Sequence, residues 1–423
     1  MISYNTRLLY LMKLVGDISM WYRVLMKAPV DGKLLNEAVQ EAMIRYPYLG
    51  KKLAVEDGTY VYKENNAPVP VVKGTKNLPK YGSKEANEHL ILVNYEGSVI
   101  TFNMSHCLSA GRGFARWACS ILYGYEKRLA GKEPNCPQIR RPDVPPEPGE
   151  DFLEPFSNLP ELPPTFRGFG SEIRPLAPSR LEELIGEDSG DGSYVTLIKL
   201  DAAEVMSKVK ACGASPATWF GTLYYKSLLS LMKEAPECFN LAIACDSSDE
   251  LGLKETMSLI TRFLSFPILK DESGLSVGEL AAKGRALIKE QMDPSLMIDI
   301  LKKEQKVLKE MEALPTIQEK ATYYATHNAS VGLTPTALIS YVGRYDLEGL
   351  DHVECLEEGG TTGKRGLVIL SPKDKFHLIL HHSAGDKDRS VAAMAEELKK
   401  EGLNPEVAYT LPQNHIGLVF PEE

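Results

Sequence analysis

The segment NMSHCLSAGRGFARW, residues 103–117, brings together residue types that are able to do chemistry. His106 stands at the end of an apolar alternating run, and Gly111 and Gly113 follow it in a short turn. Histidine has an unperturbed pKa of about 6.5, so a neutral imidazole is available near pH 7 to take a proton from a substrate. His106 is therefore a candidate general base. The alternative is a core histidine whose nitrogens are satisfied by the backbone, which is common on an apolar strand face.

Two elements must position this histidine. The run LILVNYEGSVITFNMSH, residues 90–106, is typical of a β-hairpin that turns near Gly97. By the period of two, its second strand places His106 on the face of three apolar residues: Ile100, Phe102 and Met104. After the glycines, residues 114–131 have apolar side chains at helical spacing and end in basic residues followed by glycine, as helices often do. The sequence thus predicts strand, turn and helix around His106.

The chain of 423 residues is too long for one ordinary core and indicates two domains. Residues 134–180 are rich in proline and poor in apolar runs, which is typical of an extended crossing segment. Alternating strands and amphipathic helices occur on both sides of it. We therefore place an N-terminal lobe at residues 1–150, a crossing segment at 151–180 and a C-terminal lobe at 181–423.

Composition excludes several classes of protein. Hydrophobic residues make up 43% and charged residues 25% of the chain, as in ordinary soluble proteins. The formal charge of −9 argues against a nucleic-acid partner, because such binding needs a basic surface. No stretch reaches the roughly 18 to 20 uncharged apolar residues of a membrane span, so we predict a cytoplasmic protein. The seven cysteines are scattered, which argues against a disulfide framework or a bound zinc ion.

Several segments together resemble a superfamily of acyltransferases. The run FNMSHCLSAGRGFARW is similar to the HHxxxDG segment of chloramphenicol acetyltransferase, alcohol acetyltransferases, plant BAHD enzymes and peptide-synthetase condensation domains. RYPYL after the first helix resembles that family's RYPxL, and ISYVGRYDL resembles its S-N-L-G strand. The resemblance implies an α/β protein of two lobes, each a mixed β-sheet flanked by helices, with a tunnel between them.

The same resemblance implies an activity. In that family the second histidine of the motif is the general base, and it aligns with His106. The reaction would transfer an acyl group to a small-molecule alcohol or amine from a thioester, either acyl-CoA or the phosphopantetheine arm of an acyl or peptidyl carrier protein. The thioester would be a donor substrate, so no permanently bound cofactor is expected. Gly111 and Gly113 would keep the motif turn tight.

The motif departs from the family pattern at two positions. Ser105 stands where the family has its first histidine, and Ala110 where it has an aspartate. In the family that aspartate bonds to an arginine of a later segment, but CDSSDEL, residues 245–251, has Ser248 or a neighbour in that place. Both partners of the ion pair are thus expected to be absent together, which is less damaging than a single buried charge without a partner. A second hypothesis is a catalytically inactive protein that keeps the fold as a binding or scaffold module.

A rival site lies near the end of the chain. In HLILHHSAGDKD, residues 377–388, the side chains of His381, His382 and Asp386 match HHxxxD at a strand-to-helix junction. In the two-lobed members that resemble this chain, however, the final strand carries no catalytic histidine. A polar turn of this kind is more often exposed and caps the following helix. His382 with Asp386 is therefore the alternative catalytic site, behind His106.

Overall fold

The computed structural model describes residues 2–156, 159–162, 166, 168–170, 172–185, 192–327, 333–361, 365–383, 385, 387–413 and 415–422. They form a mixed α/β fold with two mixed sheets flanked by helices, which confirms the predicted fold class.

The first half of the chain supplies most of the first lobe. Its helices are α1 (Arg7–Val15), α2 (Gly32–Arg45) and α3 (Gly111–Ala130). Its strands are β1 (Ser19–Met26), β2 (Lys52–Glu56), β3 (Thr59–Lys63), β4 (Val71–Lys73), β5 (Ile91–Glu96) and β6 (Val99–Ser105).

The second half of the chain supplies the second lobe and part of the first. Its helices are α4 (Pro178–Ile185), α5 (Ala202–Ala211), α6 (Pro216–Leu229), α7 (Val277–Gln291), α8 (Pro294–Glu312), α9 (Ile317–His327) and α10 (Lys387–Lys400). Its strands are β7 (Ser193–Asp201), β8 (Cys238–Asp246), β9 (Thr261–Leu269), β10 (Ala337–Tyr345), β11 (Val353–Thr361), β12 (Gly366–Pro372), β13 (Lys375–Ser383) and β14 (Glu406–Pro412).

Two main sheets are assembled from these strands. The first has the order β11-β1-β6-β5-β4 and is antiparallel except for the β4-β5 pair. The second has the order β14-β7-β13-β12-β10-β8-β9, in which β8, β10 and β12 run parallel to one another. Strands β2 and β3 form a separate hairpin. Because β11 pairs with β1, a strand from the second half of the chain completes the first sheet.

Helices of the second half also pack on the first lobe. Side chains of α8 and α9, among them Leu308, Met311 and Ala321, belong to the hydrophobic core that α1 and the first sheet share. The lobe boundaries at 150 and 181 stay a prediction, because elements from both sides of the crossing segment build this core.

The two lobes are joined through one face of the second sheet. Its other face packs against α5, α6, α7 and α10. The joining face contributes buried apolar side chains to the core of the first lobe: Val195, Leu197, Val368, Leu370 and Ile379. Burial of this apolar area stabilises the arrangement of the lobes.

Strand β6 and helix α3 bracket the motif turn. Three side chains of β6 that alternate along the strand are completely buried: Ile100, Phe102 and Met104. Helix α3 ends at Gly131, whose positive φ of 65° favours glycine, and has Lys127 and Arg128 in its last turn. His106 lies between these two elements.

Candidate active site

His106 lies directly after β6, at the start of the turn that leads to α3. Its backbone N–H donates to the carbonyl oxygen of Ile18 at 2.7 Å, which ties it to the segment before β1. Its Nδ1 lies 2.9 Å from the carbonyl oxygen of Ser109. Because a carbonyl oxygen only accepts, this bond assigns the proton to Nδ1 and leaves the lone pair on Nε2. A general base needs such a nitrogen to receive a proton.

The environment of His106 keeps the imidazole neutral. The residue is partly exposed, whereas Ser105, Cys107 and Ser109 around it are buried. Burial lowers the pKa of His106 below its usual value of 6.5, the bond to Ser109 opposes this, and the positive charge of Arg7 lowers the pKa further. No residue in the described part of the chain donates a hydrogen bond to Nε2. The nitrogen that would take the proton is therefore unprotonated, and no described residue donates to it.

Arg7 on α1 places a buried cation at the junction of the two lobes. Its guanidinium lies 3.5 Å from the ring centre of Tyr4, 3.3 Å from Oε1 of Glu304, and donates to the carbonyl oxygen of Leu259 at 2.8 Å. The hydroxyl of Tyr324 donates to the same oxygen of Glu304 at 2.6 Å. Arg7 was not among the site residues predicted from the sequence.

The motif turn is held from both lobes. The Ser109 hydroxyl donates to the carbonyl oxygen of Met257 at 2.8 Å, and the Tyr22 hydroxyl donates to the carbonyl oxygen of Gly111 at 3.0 Å. Ala110, the residue before α3, makes no side-chain cap bond. The turn is thus positioned by neighbouring elements rather than by its own helix cap.

The two glycines of the turn differ in the space around them. A Cβ added at Gly113 would overlap Oγ of Ser109 and lie 2.9 Å from Sδ of Met257. A Cβ added at Gly111 would lie 3.5 Å from the hydroxyl of Tyr22, which is ordinary van der Waals contact. Close packing therefore favours glycine at position 113, whereas position 111 has room for a Cβ.

Ser105 and Cys107 flank His106 and are both buried. The Ser105 hydroxyl donates to Oδ1 of Asp17 at 2.8 Å, and Sγ of Cys107 lies 3.3 Å from Oγ of Ser105. Burial raises the pKa of the Cys107 thiol to about 12, so this thiol is protonated at neutral pH and is not a nucleophile. Ser105 anchors the end of β6 to the loop before β1.

An ion pair joins the motif turn to the second lobe. Arg112, in the first turn of α3, lies 3.0 Å through Nε from Oδ2 of Asp246 and 2.7 Å through Nη1 from Oδ1 of Asp249. Its Nη2 donates to the hydroxyl of Ser248. The two residues of the family ion pair are absent, but a different ion pair is present here, with the arginine on the motif side and the carboxylates after β8. The sequence signal for it was the pair of opposite charges in GRG and DSSD.

Comparisons with known proteins bear on the fold. No protein-family model matches the chain, and no curated protein matches it by sequence. Solved structures do align with the chain, among them the following three. Trichothecene 15-O-acetyltransferase TRI3 from Fusarium sporotrichioides has a TM-score of 0.59 at 12% identity, covering 95% of this chain and 94% of that chain. Polyketide synthase associated protein 5 from Mycobacterium tuberculosis has a TM-score of 0.58 at 11% identity, covering 93% and 95%. F. graminearum TRI101 complexed with coenzyme A and T-2 mycotoxin has a TM-score of 0.56 at 12% identity, covering 93% and 97%.

These alignments span both lobes of the chain. The chain therefore shares the two-lobed fold of these three proteins. At such low sequence identity the likeness shows the architecture alone.

The rival histidine, His382, lies on β13. His382 is fully buried on the strand face that packs against the helices. Its Nε2 lies 2.8 Å from Oγ1 of Thr196, and its ring stacks on Tyr194. Asp386 lies outside the described residues. Because a fully buried imidazole is poorly placed to receive a proton from a substrate, the geometry favours His106 as the base.

A cleft of about 600 Å³ lies at the far end of α3 from the motif. Acidic and basic side chains line it: Glu126, Lys132, Glu133, Asp346, Glu348 and Asp351. Since a helix rises 1.5 Å per residue, this end of α3 is roughly 25 Å from His106. The cleft is therefore separate from the candidate active site, and the predicted tunnel between the lobes stays a prediction.

The described residues contain no group of three or more His, Cys, Asp or Glu side chains placed to hold a metal ion. None of the helices that the structure describes is long and apolar enough to cross a bilayer.

Proposed function

We propose that this chain is an acyltransferase that moves an acyl group from a thioester to an alcohol or amine, with His106 as the general base. One observation carries the proposal: the Nδ1 of a partly exposed imidazole is bonded to the Ser109 carbonyl, while Nε2 keeps its lone pair. Burial and the charge of Arg7 favour the neutral ring. A neutral base fixed in one tautomer suits proton removal from an acceptor.

The proposed reaction begins when the acceptor O–H or N–H donates a hydrogen bond to Nε2 of His106. As the proton passes to Nε2, the acceptor atom attacks the thioester carbonyl carbon and a tetrahedral oxyanion forms. The carbonyl then re-forms, the C–S bond breaks, and the imidazolium returns its proton to the leaving sulfur. The products are an ester or amide and a free thiol, and the base is regenerated without a covalent acyl-enzyme.

Burial and Arg7 also act on the second half of this cycle. Both disfavour the imidazolium form of His106. They therefore favour return of the proton to the thiolate, at the expense of a weaker pull on the acceptor proton. A lower pKa of His106 thus favours the second proton transfer and disfavours the first.

The proposed donor is an acyl-CoA or an acyl group on the phosphopantetheine arm of a carrier protein. Coenzyme A and a small mycotoxin are present together in the TRI101 complex, whose fold this chain shares. Both kinds of donor bring the same thioester group to the base. A small-molecule acceptor is accordingly proposed for this chain, without a resident cofactor.

The test is release of free thiol from acetyl-CoA, longer acyl-CoAs and an acylated carrier protein, followed with a thiol-reactive dye across a panel of alcohols and amines. We expect thiol release that depends on the acceptor in at least one pairing. Binding of acyl-CoA by calorimetry without turnover of any donor would contradict the proposal. It would favour the binding or scaffold module, which the substitutions at Ser105 and Ala110 motivate.

A further inference from the structure

We propose that Arg112 is a positioning residue that holds the His106 turn against the second lobe. This inference rests on the proposed function, in which His106 is the base, and adds a side chain that acts through the turn. Arg112 belongs to the first turn of α3, and its side chain crosses to the loop that follows β8.

The contact between Arg112 and this loop is a fork. Nε and Nη2 lie 3.0 Å and 3.3 Å from the two carboxylate oxygens of Asp246, and Nη1 lies 2.7 Å from Asp249. Ser248 accepts from Nη2, and its backbone N–H donates to Asp246 at 2.9 Å. A planar guanidinium that meets a carboxylate in this bidentate manner fixes orientation as well as distance.

Helix α3 by itself gives no reason for an arginine at this position. The N-terminus of a helix carries a partial positive charge, so a cation in the first turn is unfavourable. Ala110, the residue before α3, offers no side-chain acceptor. Arg112 is therefore stabilised by the carboxylates of the second lobe rather than by its own helix.

The segment that binds Arg112 also fixes the imidazole. Residues 246–257 include Met257, whose carbonyl oxygen accepts from the Ser109 hydroxyl at 2.8 Å. The carbonyl oxygen of Ser109 in turn accepts from Nδ1 of His106 at 2.9 Å. Arg112 and Ser109 thus hold the turn to the same segment from two points, and a shift of either moves the acceptor that orients His106.

The loss of Arg112 is expected to affect the reaction rate and the folding stability by different amounts, which distinguishes a positioning role from a stabilising one. The side chains of Arg112 and Asp246 are 29% and 31% exposed, so solvent screens the pair and its contribution to folding is small. A displacement of a catalytic group by about 1 Å, in contrast, can lower the rate about a hundredfold. Loss of Arg112 should therefore lower kcat far more than it lowers the unfolding temperature.

The experiment compares Arg112→Ala with Arg128→Ala. Arg128 is a matched control, because it lies on the same helix, 22% exposed, and pairs with Glu37 and Glu41 away from the turn. For Arg112→Ala we expect kcat to fall about tenfold or more with KM for the thioester changed less than about twofold. Amide hydrogen exchange across residues 106–114 should also accelerate, and Arg128→Ala should change neither quantity.

A charge exchange tests whether the pair itself is responsible. Arg112→Asp and Asp246→Arg should each lose activity, and the double variant should recover most of it, because the ion pair is re-formed with opposite polarity. Wild-type kcat and unchanged exchange in Arg112→Ala would overturn the proposal, as would a double variant no better than the single variants.

The exchange measurement also separates this inference from the proposed function. If the wild-type protein turns over no thioester, faster exchange of residues 106–114 in Arg112→Ala and its reversal in the double variant still support the positioning role. Unchanged exchange in that case overturns it. Failure of acyl transfer and failure of the Arg112 contact therefore give different results.

Discussion

Replacing His106 with glutamine should lower kcat/KM for acyl transfer by about a thousandfold, within the range that general acid–base catalysis contributes. Glutamine is close in size to histidine and keeps a polar side chain, although its amide nitrogen takes the place of Nε2 rather than of Nδ1, which donates to the Ser109 carbonyl in the wild type. The amide group cannot take a proton at neutral pH. The fold should be retained, so the loss falls on kcat and is measured by steady-state thiol release alongside circular dichroism.

The matched control for this change is His382→Gln. His382 is buried and hydrogen-bonded to Thr196 on the face of the second sheet that packs against the helices, away from the face that joins the lobes. Its replacement should therefore affect stability more than turnover. Activity should survive in His382→Gln when it is measured well below the unfolding temperature. Retention of full activity in His106→Gln, or its loss only in His382→Gln, would transfer the base to β13.

Gly113→Ala should destabilise the protein by about 2 kcal/mol, the usual cost of an overpacked position, and also abolish most activity. The new Cβ would overlap Oγ of Ser109 and press on the side chain of Met257. The Ser109 hydroxyl must then shift, which disturbs its hydrogen bond to the Met257 carbonyl, and the carbonyl oxygen of the same residue is the acceptor that orients His106. Urea unfolding and thiol-release assays on the same preparation measure the two effects.

Gly111→Ala is the matched substitution two residues earlier. The added methyl meets Tyr22 and Val342 only at ordinary contact distances of 3.5 Å and 3.6 Å. Alanine also favours the helical state over glycine by roughly 1 kcal/mol in a helix interior, and by less in a first turn. Gly111→Ala should therefore be neutral or slightly stabilising. Equal destabilisation by both substitutions would show that the packing around Ser109 does not decide the requirement for glycine.

Local elements of this chain are predictable because their signals are short-range. The Asp293-Pro294 step, for example, predicts an interruption between two helices, and α7 ends at Gln291 while α8 begins at Pro294. Asp293 caps the new helix by accepting from the backbone N–H of Ser295 at 2.7 Å. Helix α3 begins three residues before its apolar pattern does, because glycine costs little in a first turn whose N–H groups have no intrahelical partner.

Strand β11 was not predicted, because its stability comes from distant residues. Its sequence VECLEEGGT contains charges and glycines that are poor strand formers in isolation. It completes the first sheet by pairing with β1, which lies more than 300 residues earlier in the chain, and Arg23 of β1 lies 3.6 Å from Glu357. No local pattern encodes such a partner.

The candidate site was predictable only in part for the same reason. His106 and the strand–turn–helix around it follow from spacing, whereas Arg112 and Asp246 are separated by 134 residues and meet only in the folded chain. The family pattern did not predict this pair, because it places an aspartate in the motif and an arginine in the later segment, which is the reverse of the charges found here. The sequence signal for such a pair is complementary charge in the two segments.

The central claim concerns one nitrogen atom, and ¹⁵N NMR of histidine-labelled protein tests it most directly. With His106 assigned by its loss in His106→Gln, we expect protonated Nδ1 and unprotonated Nε2 at pH 7.5, a titration midpoint below 6.5, and a shift of the Nε2 signal on addition of coenzyme A. Because only the neutral ring is a base, kcat/KM should rise with pH through that midpoint and then level off. A proton on Nε2 at pH 7.5, or a midpoint above 6.5, would contradict the assignment of His106 as the base.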